Sequence, residues 1–448
     1  MKVLAPLAFL ALSLVGCRVG LSSIQPIAPK AMHPPFETTA SQRQIAFHEE
    51  RVRNDPEGAF GWSMLAESYL ALASERDDDV AAEKAERAAR KSLSLRANRN
   101  EAAASLLTKA LLAQHRFQDA YVEVSRAAQK SPQSEILWRQ RMEIQLELGL
   151  YDEFRTGLAV LKSKTDPASL VLRARWEGLI GKTEEEVKIL TSTASQVDAM
   201  TTLPASTVSW YRVQLAAALL RKGDHQLAKQ QLDEAYDLNP NSYQVCAWQT
   251  RLAAETGDPE QVLKWADKTS KLAKMTDVQG LAAQAWIALG NSAEAAKILE
   301  QMKAENLKSG QTIEVSPTHT HTKAQTRHTH DRLFAMALAN LGKHFAFAHH
   351  AAEEDLQSRK DIYAYDTFAW ATYRYWKLVP ASETGEGDQL LREAERAIEK
   401  ALSTDSKDPH ILYHAARIFE KAQPVRAAKL RQQALSISPM LAALLVQP

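Results

Sequence analysis

Two stretches of this chain carry small, large and helix-ending residues at the same spacing. In LAAALLRKGDHQLAKQQLDEAYDLNP an apolar helix runs to Leu220, a turn follows at Gly223, and a second helix ends before Pro240. In LLTKALLAQHRFQDAYVEVSRAAQKSP the corresponding closing residue is Pro132. One such unit cannot bury its own apolar face, so several must stack on one another. An irregular helical bundle would explain the amphipathic helices, but it would not explain the shared offsets.

The residue types in these units have separate mechanical roles. Small residues such as Ala216, Ala228 and Ala235 let the two helices of a unit approach closely, while large apolar residues fill the space between units. Glycine permits the tight turn, and proline ends the second helix. Hydrophobic residues make up 45% of the chain and there are only 16 glycines. Because no run of residues reads as a strand, the sequence predicts an all-α fold.

The repeated unit resembles the tetratricopeptide repeat (TPR), whose pattern W-x2-L-G-x2-Y recurs about every 34 residues. The segment WSMLAESY, from Trp62 to Tyr69, matches the first half of that pattern with Ala66 at the glycine position. The segments GDPEQVLKW, LGNSAEAAKIL, LGKHFAFAHHA and RAAKLRQQALSISP resemble later second helices. The resemblance implies an α-solenoid of stacked antiparallel helix pairs, a TPR superhelix with a concave groove. At the C-terminal end, DIYAYDTFAWATYRYW is similar to the last repeats of a group of exported bacterial TPR proteins of unknown function.

The N-terminus is typical of an export signal, with MK followed by the almost wholly apolar run 3–15. That run is too short to span a bilayer comfortably, since a spanning helix needs about 20 apolar residues. Its end, LVGC, resembles the bacterial lipobox, which implies that Cys17 is acylated and becomes the first residue of the mature chain. Arg18 follows the cysteine, which favours the periplasmic face of an outer membrane if the host has one. The alternative is an ordinary cleaved signal with an incidental cysteine.

These features divide the chain into five predicted segments. They are a lipoprotein signal peptide (1–16), a lipid-anchored, proline-rich tether (17–42), TPR-like repeats (43–307), a His/Thr-rich loop (308–327) and C-terminal TPR-like repeats (328–448).

Composition and motifs narrow the class of function. The chain has 55 basic and 54 acidic residues, and this balance argues against a nucleic-acid binder. The catalytic and cofactor motifs G-x-S-x-G, P-loop, H-E-x-x-H and the dinucleotide fingerprint are absent from the sequence, so we expect neither an enzyme nor a bound cofactor. The favoured function is a membrane-anchored scaffold in the bacterial cell envelope that binds a protein or peptide. The sequence leaves the oligomeric state open.

The loop SPTHTHTKAQTRHTH supports an alternative function. It holds two His-Thr-His pairs, formed by His319, His321, His328 and His330. Imidazoles at this density could hold zinc, nickel or copper, which would make the protein a metal-handling envelope lipoprotein. The competing interpretation is a polar loop between repeats, so no metal ligand is assigned. Further on, His414 occupies a helix-packing position, and we expect it to be an ordinary core histidine.

The TPR resemblance also implies where a partner would bind, because the first helix of each pair lines the groove in that family. In the unit aligned on Ala369, the groove positions include three aromatic residues and one arginine, the residue types that dominate binding energetics. The preceding unit adds an arginine and a methionine to the same wall. The predicted partner-binding residues are Tyr363, Trp370, Tyr373, Arg374, Arg332 and Met336. An apolar or aromatic peptide segment is the favoured ligand; the alternative is that these aromatics fill a core.

The lipobox leads to a direct prediction. Radiolabelled lipid should be incorporated into the wild-type protein and not into Cys17→Ser, because the thiol is the acceptor of the diacylglycerol. Metabolic labelling followed by gel autoradiography measures this. Labelling that persists in Cys17→Ser would contradict the anchor.

Overall fold

The computed structural model describes residues 40–76, 78–161, 165–306, 331–378 and 386–441. All of them belong to one compact unit, His33–Pro448, whereas the preceding unit, Met1–Met32, lies outside the described residues. Cys17, the tether up to residue 39 and the histidines of the predicted loop therefore also lie outside the described residues.

The described part of the chain consists of helices and connecting turns, without a strand. The helices are α1 (Ala40–Asn54), α2 (Ala59–Arg76), α3 (Asp79–Leu95), α4 (Glu101–Ala113), α5 (Phe117–Lys130), α6 (Glu135–Glu147), α7 (Tyr151–Val160), α8 (Pro167–Leu179), α9 (Thr183–Asp198), α10 (Ala205–Lys222), α11 (His225–Leu238), α12 (Tyr243–Glu255), α13 (Pro259–Ser270), α14 (Thr276–Ala288), α15 (Ser292–Asn306), α16 (Asp331–Leu341), α17 (Phe345–Ser358), α18 (Ile362–Trp376), α19 (Glu386–Ala401), α20 (Pro409–Ile418) and α21 (Pro424–Ile437).

After α1 the described helices form consecutive pairs, from α2 with α3 to α20 with α21. Within each pair the helices pack against each other, and the first helix usually also contacts the first helix of the next pair. This arrangement confirms the predicted all-α solenoid of stacked helix pairs. The segment around 168–208, in which the sequence repeat is faint, forms the ordinary pair α8 and α9.

Local sequence signals explain where many helices begin. Asp166, Asp258 and Asp408 each precede a proline at the first helical position, and each side chain accepts a hydrogen bond from a backbone N–H of the first turn. In the first helices of two pairs, a tryptophan indole donates to the carbonyl of the proline six residues earlier. These contacts are Trp62 to Pro56 at 2.9 Å and Trp138 to Pro132 at 3.1 Å.

One position of the first helices is buried in every pair, and we call it the buried slot. Most of its occupants are small, as the sequence predicted for Ala66 and Ala216. At most 2% of each residue is exposed, so the neighbouring helices approach directly over it. The buried slot holds Ala66, Thr108, Met142, Ala174, Ala216, Thr250, Ala283, Ala335, Ala369 and Ala415.

The turns inside the middle pairs contact the C-terminal pairs. Gly149, Gly181 and Gly223 have positive φ angles of 72°, 75° and 86°, a conformation that favours glycine. A Cβ on Gly149 would overlap the carbonyl oxygen of Lys360, and one on Gly181 would overlap that of Asp405. The Gly223 turn approaches the end of α21 in the same way. The solenoid therefore curves until turns of its middle pairs touch junctions of its last pairs, a contact that we call the closure.

The closure predicts unequal effects of alanine at two turn glycines. Gly149→Ala should lower the free energy of unfolding by about 1–2 kcal/mol for the left-handed backbone and by a further ~1–3 kcal/mol for the overlap with Lys360. Gly290 has a φ of 77°, but a Cβ at this position would meet no atom within 4 Å, so Gly290→Ala should show only the first loss. Urea unfolding followed by circular dichroism measures both. Equal losses would mean that the closure is absent in solution.

Candidate functional site

The residue that follows the buried slot defines a second row along the first helices, which we call the inner row. In α2, α4, α6 and α8 it is Glu67, Lys109, Glu143 and Arg175, four charged residues of alternating sign. The first three are exposed, and a third of the Arg175 side chain is exposed. From α10 onward the row holds Ala217, Arg251, Gln284, Met336, Trp370 and Ala416. The inner row is thus charged and open in the N-terminal half, and mostly buried in the C-terminal half.

The end of α6 approaches the C-terminal pairs. Residues seven or eleven positions apart in an α-helix lie on nearly the same face, and residues four apart are neighbours on it, so Glu143 and Glu147 share a face of α6. The charge of Arg332, on α16, helps to lower the pKa of Glu147. This coupling agrees with the contact between the Gly149 turn, which follows α6, and the carbonyl oxygen of Lys360.

The structure corrects the predicted exposure of three groove residues. Trp370, Tyr373 and Arg374 are only 2%, 4% and 3% exposed, so they do not face an open groove. The Trp370 ring stacks on His414 with 4.3 Å between centroids, and its indole N–H donates to Asn340 at 2.8 Å. Trp370 follows Ala369 of the buried slot and so belongs to the inner row, but the neighbouring first helices α16 and α20 cover it.

Arg374 is held by aromatic rings. Its guanidinium lies 5.3 Å from the centroid of Phe345 and 5.4 Å from that of Trp370. Burial, together with the nearby charge of Arg417, lowers the pKa of Arg374 to about 10. This side chain therefore contributes to packing around α18 rather than to an exposed surface.

His414 is a core histidine, as the sequence predicted, since 1% of the residue is exposed. Its Nδ1 lies 2.9 Å from Oδ1 of Asp366. Asp366 is buried as well. The Asp366–His414 pair and the stacked Trp370 ring join α18 to α20.

The other predicted residues keep access to solvent. Tyr363, Arg332 and Met336 are partly buried. Arg332 forms an ion pair with Asp361 at 3.3 Å, and 20% of its side chain is exposed. Met336 and Tyr363 pack against the edge of the C-terminal core. The structure thus separates the six predicted residues into three buried and three accessible ones, and their role in partner binding remains a prediction.

Tyr363 lies in a cluster of charged side chains where the middle pairs approach the C-terminal pairs. We call it the charged cluster, and it consists of Glu147, Arg175, Glu186, Arg221, Arg332, Asp361 and Tyr363. Arg175 binds Glu147 at 2.7 Å, and Arg221 binds Glu186. The charges of Arg221 and Glu186 both act on the Tyr363 hydroxyl, and burial is the main cause of its raised pKa.

Opposite charges offset part of the effect of burial in this cluster. Burial alone would raise the pKa of Glu147, but Arg175 and Arg332 hold it below its usual value. Burial raises the pKa of Asp361, and Arg332 opposes that shift only in part. Taking charges out of water is costly unless each has a partner, and the ion pairs supply those partners.

Sequence reasoning missed Arg175 and Arg221. Arg175 occupies the same position of its helix as Trp370, and applying that position to every first helix would have found it. Arg221 lies at the end of α10, five residues after Ala216 in the buried slot. Arg221 comes near Tyr363 only because the closure brings the middle and C-terminal pairs together, and the local sequence does not predict the closure.

Four further polar contacts complete the closure. The Tyr151 hydroxyl accepts from the backbone N–H of Ile362 at 2.9 Å, and Gln118 donates to the carbonyl of Ser358 at 3.0 Å. Glu255, at the end of α12, binds His410 at 2.8 Å and also accepts from Ser438. Burial alone would lower the pKa of His410, but the hydrogen bond and charge of Glu255 raise it to about 9.

Two further observations concern membranes and metals. None of the helices in the described segments is both long and apolar enough to cross a membrane. Within those same segments, three or more His, Cys, Asp or Glu side chains do not come together as a metal-binding group. The histidines of the His-Thr-His pairs lie outside this part of the chain.

The chain is similar to solved structures of low sequence identity. No protein-family model matches the chain, and neither does any curated protein. Among solved structures, the chain is similar to PilW, a type IV pilus biogenesis factor, with 17% identity and a TM-score of 0.37 over 46% of this chain and 94% of that one. It is also similar to the Cut9–Hcn1 tetramer of the APC/C, with 12% identity and a TM-score of 0.34 over 91% and 93% of the two chains. A third similar structure is human IFIT1 with PPP-AAAA, with 14% identity and a TM-score of 0.36 over 74% and 68%. At such low TM-scores the likeness supports no statement about function.

The Glu255–His410 pair predicts a specific dependence of stability on pH. A raised histidine pKa stabilises the fold fully below the ordinary value of 6.5, and this contribution is lost as the pH rises through about 9. The lowered pKa of Glu255 sets the other limit, because its contribution is lost as the pH falls below the ordinary value of 4.5. The pair therefore contributes most at about pH 5–6.5.

Substitution of His410 tests this dependence. In the wild type, the free energy of unfolding should decline between pH 6.5 and 9 as His410 loses its proton. This decline should be smaller in His410→Gln, because glutamine does not titrate. The measurement is urea unfolding at a series of pH values. His350→Gln is the matched control, because His350 is an exposed histidine whose ion pairs, with Glu353 and Glu354, lie within its own helix. Identical profiles for His410→Gln and wild type would contradict the role of the pair.

Proposed function

We propose that the chain is a protein-interaction scaffold of the TPR type, held at a bacterial envelope membrane through lipid on Cys17. The carrying observation is the open, charged inner row of α2 to α8. Four side chains of alternating charge, Glu67, Lys109, Glu143 and Arg175, follow one another along a face that the chain itself leaves accessible. Such a row favours an extended partner segment of mixed charge.

Exposed apolar side chains lie on the same helix face. Phe60, Ile136 and Trp210 are 64%, 42% and 37% exposed. Phe60 precedes Glu67 by seven residues and Ile136 precedes Glu143 by seven, so each pair shares one face of its helix. Trp210 precedes Arg221 by eleven residues, which gives the same geometry on α10. Large apolar groups beside charged ones provide the area and the specificity that partner recognition requires.

The three accessible residues among the six predicted ones extend this surface. Tyr363 and Arg332 lie in the charged cluster, so a partner on the inner row would meet them where the middle pairs approach the C-terminal pairs. Met336 continues the inner row on α16. Trp370, Tyr373 and Arg374 would support that surface from behind, because they fix α18 against its neighbours.

The proposal of a lipid anchor is based on three sequence features, which are the initial MK, the apolar run 3–15 and the segment LVGC. The tether that follows Cys17 is rich in proline and would keep the solenoid at a distance from the bilayer. The periplasmic face of an outer membrane is the proposed location for a host that has one.

A charge exchange on the inner row tests the proposal. Glu67→Lys combined with Lys109→Glu preserves the net charge and changes two exposed side chains, so folding should be retained. Site-specific crosslinking of the full chain in its native envelope, with quantification of each captured protein, should show a loss of about 30-fold for a partner on this surface.

The control is the exchange Asp267→Lys with Lys271→Asp on α13. This exposed pair, 2.6 Å apart, lies on a second helix and can re-form after exchange. Capture should be unchanged in the control. Equal capture by wild type and the inner-row variant would show that the inner row is not the partner surface.

A further inference from the structure

A cleft with a volume of about 840 Å³ opens between two repeat junctions, the α3–α4 turn and the α5–α6 turn. It lies outside the charged cluster and shares no residue with it. Its volume is in the range of ordinary ligand pockets, which are mainly apolar with a few placed polar groups.

The floor of the cleft is apolar. It includes Leu93, Leu107 and Leu137, together with Ala97 and Ala104. Leu107 and Leu137 are buried core residues, so the floor is a rigid part of the N-terminal core. A ligand here would gain from burying an apolar group.

The rim carries an excess of positive charge. Arg90, Arg99, Arg126 and Lys130 line the cleft with two carboxylates, Glu101 and Glu123. Both carboxylates already have partners among these elements. Glu123 accepts from Arg90 at 3.3 Å and from Arg126 at 3.2 Å, while Glu101 accepts from the Ser131 hydroxyl at 2.6 Å.

Two of the rim cations carry the attraction for an anion. Arg99 and Lys130 are exposed, and neither lies within ion-pair distance of a carboxylate in the described segments. The pKa of Glu101 is lowered mainly by the Ser131 hydrogen bond and in part by the charge of Arg99. Arg99 has a positive φ of 53°, an uncommon conformation for a non-glycine residue. The cleft therefore combines two available cations with an apolar floor.

We propose that this cleft binds an acidic segment of a partner protein, which places an apolar side chain on the leucine floor and a carboxylate between Arg99 and Lys130. The inference rests on the proposed scaffold function and names the chemistry of one partner segment. Charge complementarity selects the carboxylate, and the floor selects the apolar side chain. A dense polyanion such as nucleic acid fits less well, because Glu101 and Glu123 would repel closely spaced phosphates.

The test uses the full chain in a non-ionic detergent and a fluorescein-labelled peptide of alternating leucine and glutamate. Fluorescence anisotropy should show saturable binding that weakens with salt. The same peptide with lysine in place of glutamate, or serine in place of leucine, should bind at least about tenfold more weakly, because each lacks one of the two contacts.

Three variants locate the binding. Arg99→Glu with Lys130→Glu reverses the rim charge, and Ala97→Trp fills the cleft from an exposed position; each should weaken binding at least about tenfold. Lys421→Glu with Arg431→Glu makes the same change of net charge on exposed residues of the last pair, and it should leave the affinity unchanged.

The outcomes separate this inference from the scaffold function. Absent binding, equal binding of the lysine peptide, or insensitivity to either cleft variant would overturn the assignment. So would binding of oleate to the cleft without binding of the peptide, since the occupant would then be a lipid. The inner-row variant, Glu67→Lys with Lys109→Glu, should bind the peptide normally. If that variant showed no loss of capture in the envelope, the scaffold surface would be wrong, but peptide binding to the cleft would still be decided by the anisotropy measurement.

Discussion

The stacking of the helix pairs depends on the buried slot of each first helix. This position accepts a small side chain, or in one pair a flexible methionine, because neighbouring helices pack directly over it. At the buried slot, residues such as Ala66, Ala174 and Ala369 are inaccessible to solvent. A larger branched residue there would force helices apart that otherwise pack at interior density. The buried slot also fixes the rotation of each first helix about its axis. The next residue of every first helix therefore lies on the inner row. Packing and the candidate binding surface therefore follow from one constraint.

The packing of neighbouring first helices determines which part of that surface is available. The same position holds Arg175, partly open to solvent, on α8, and Trp370, covered by its neighbours, on α18. The ion pairs of the charged cluster join neighbouring helices on one side of the closure or the other: Arg175 with Glu147, Arg221 with Glu186, and Arg332 with Asp361. Removing one member of such a pair would leave its partner charged and unpaired. Such losses typically cost about 3–5 kcal/mol, although an intact buried ion pair adds little net stability. The cluster therefore positions neighbouring repeats and is not a main source of stability.

Particular residues show how far sequence reasoning reaches. The repeat pattern assigns Ala66, Ala216 and His414 to the packed interior, and they are buried there. It predicts that Trp370 lines an open groove, and this exposure is wrong, because a helix position does not reveal what covers it. Arg221 escapes the pattern, since its neighbour Tyr363 belongs to a helix more than a hundred residues away. The faint repeat at 168–208 forms a regular pair, because packing from both sides supplies what its sequence pattern lacks.

The sequence alone determined the all-α class, the helix pairs and the buried slot, because these depend on contacts within one repeat or between neighbouring repeats. It also contains the lipobox resemblance that underlies the proposed anchor. Only the tertiary structure decided that the last pairs meet the turns of the middle pairs, and which inner-row residues remain open. Gln118 and Ser358, which touch across the closure, are 240 residues apart. Their meeting depends on the sum of small rotations between successive repeats. Each rotation is set by the detailed fit of neighbouring side chains, and a pattern of residue types does not encode that sum.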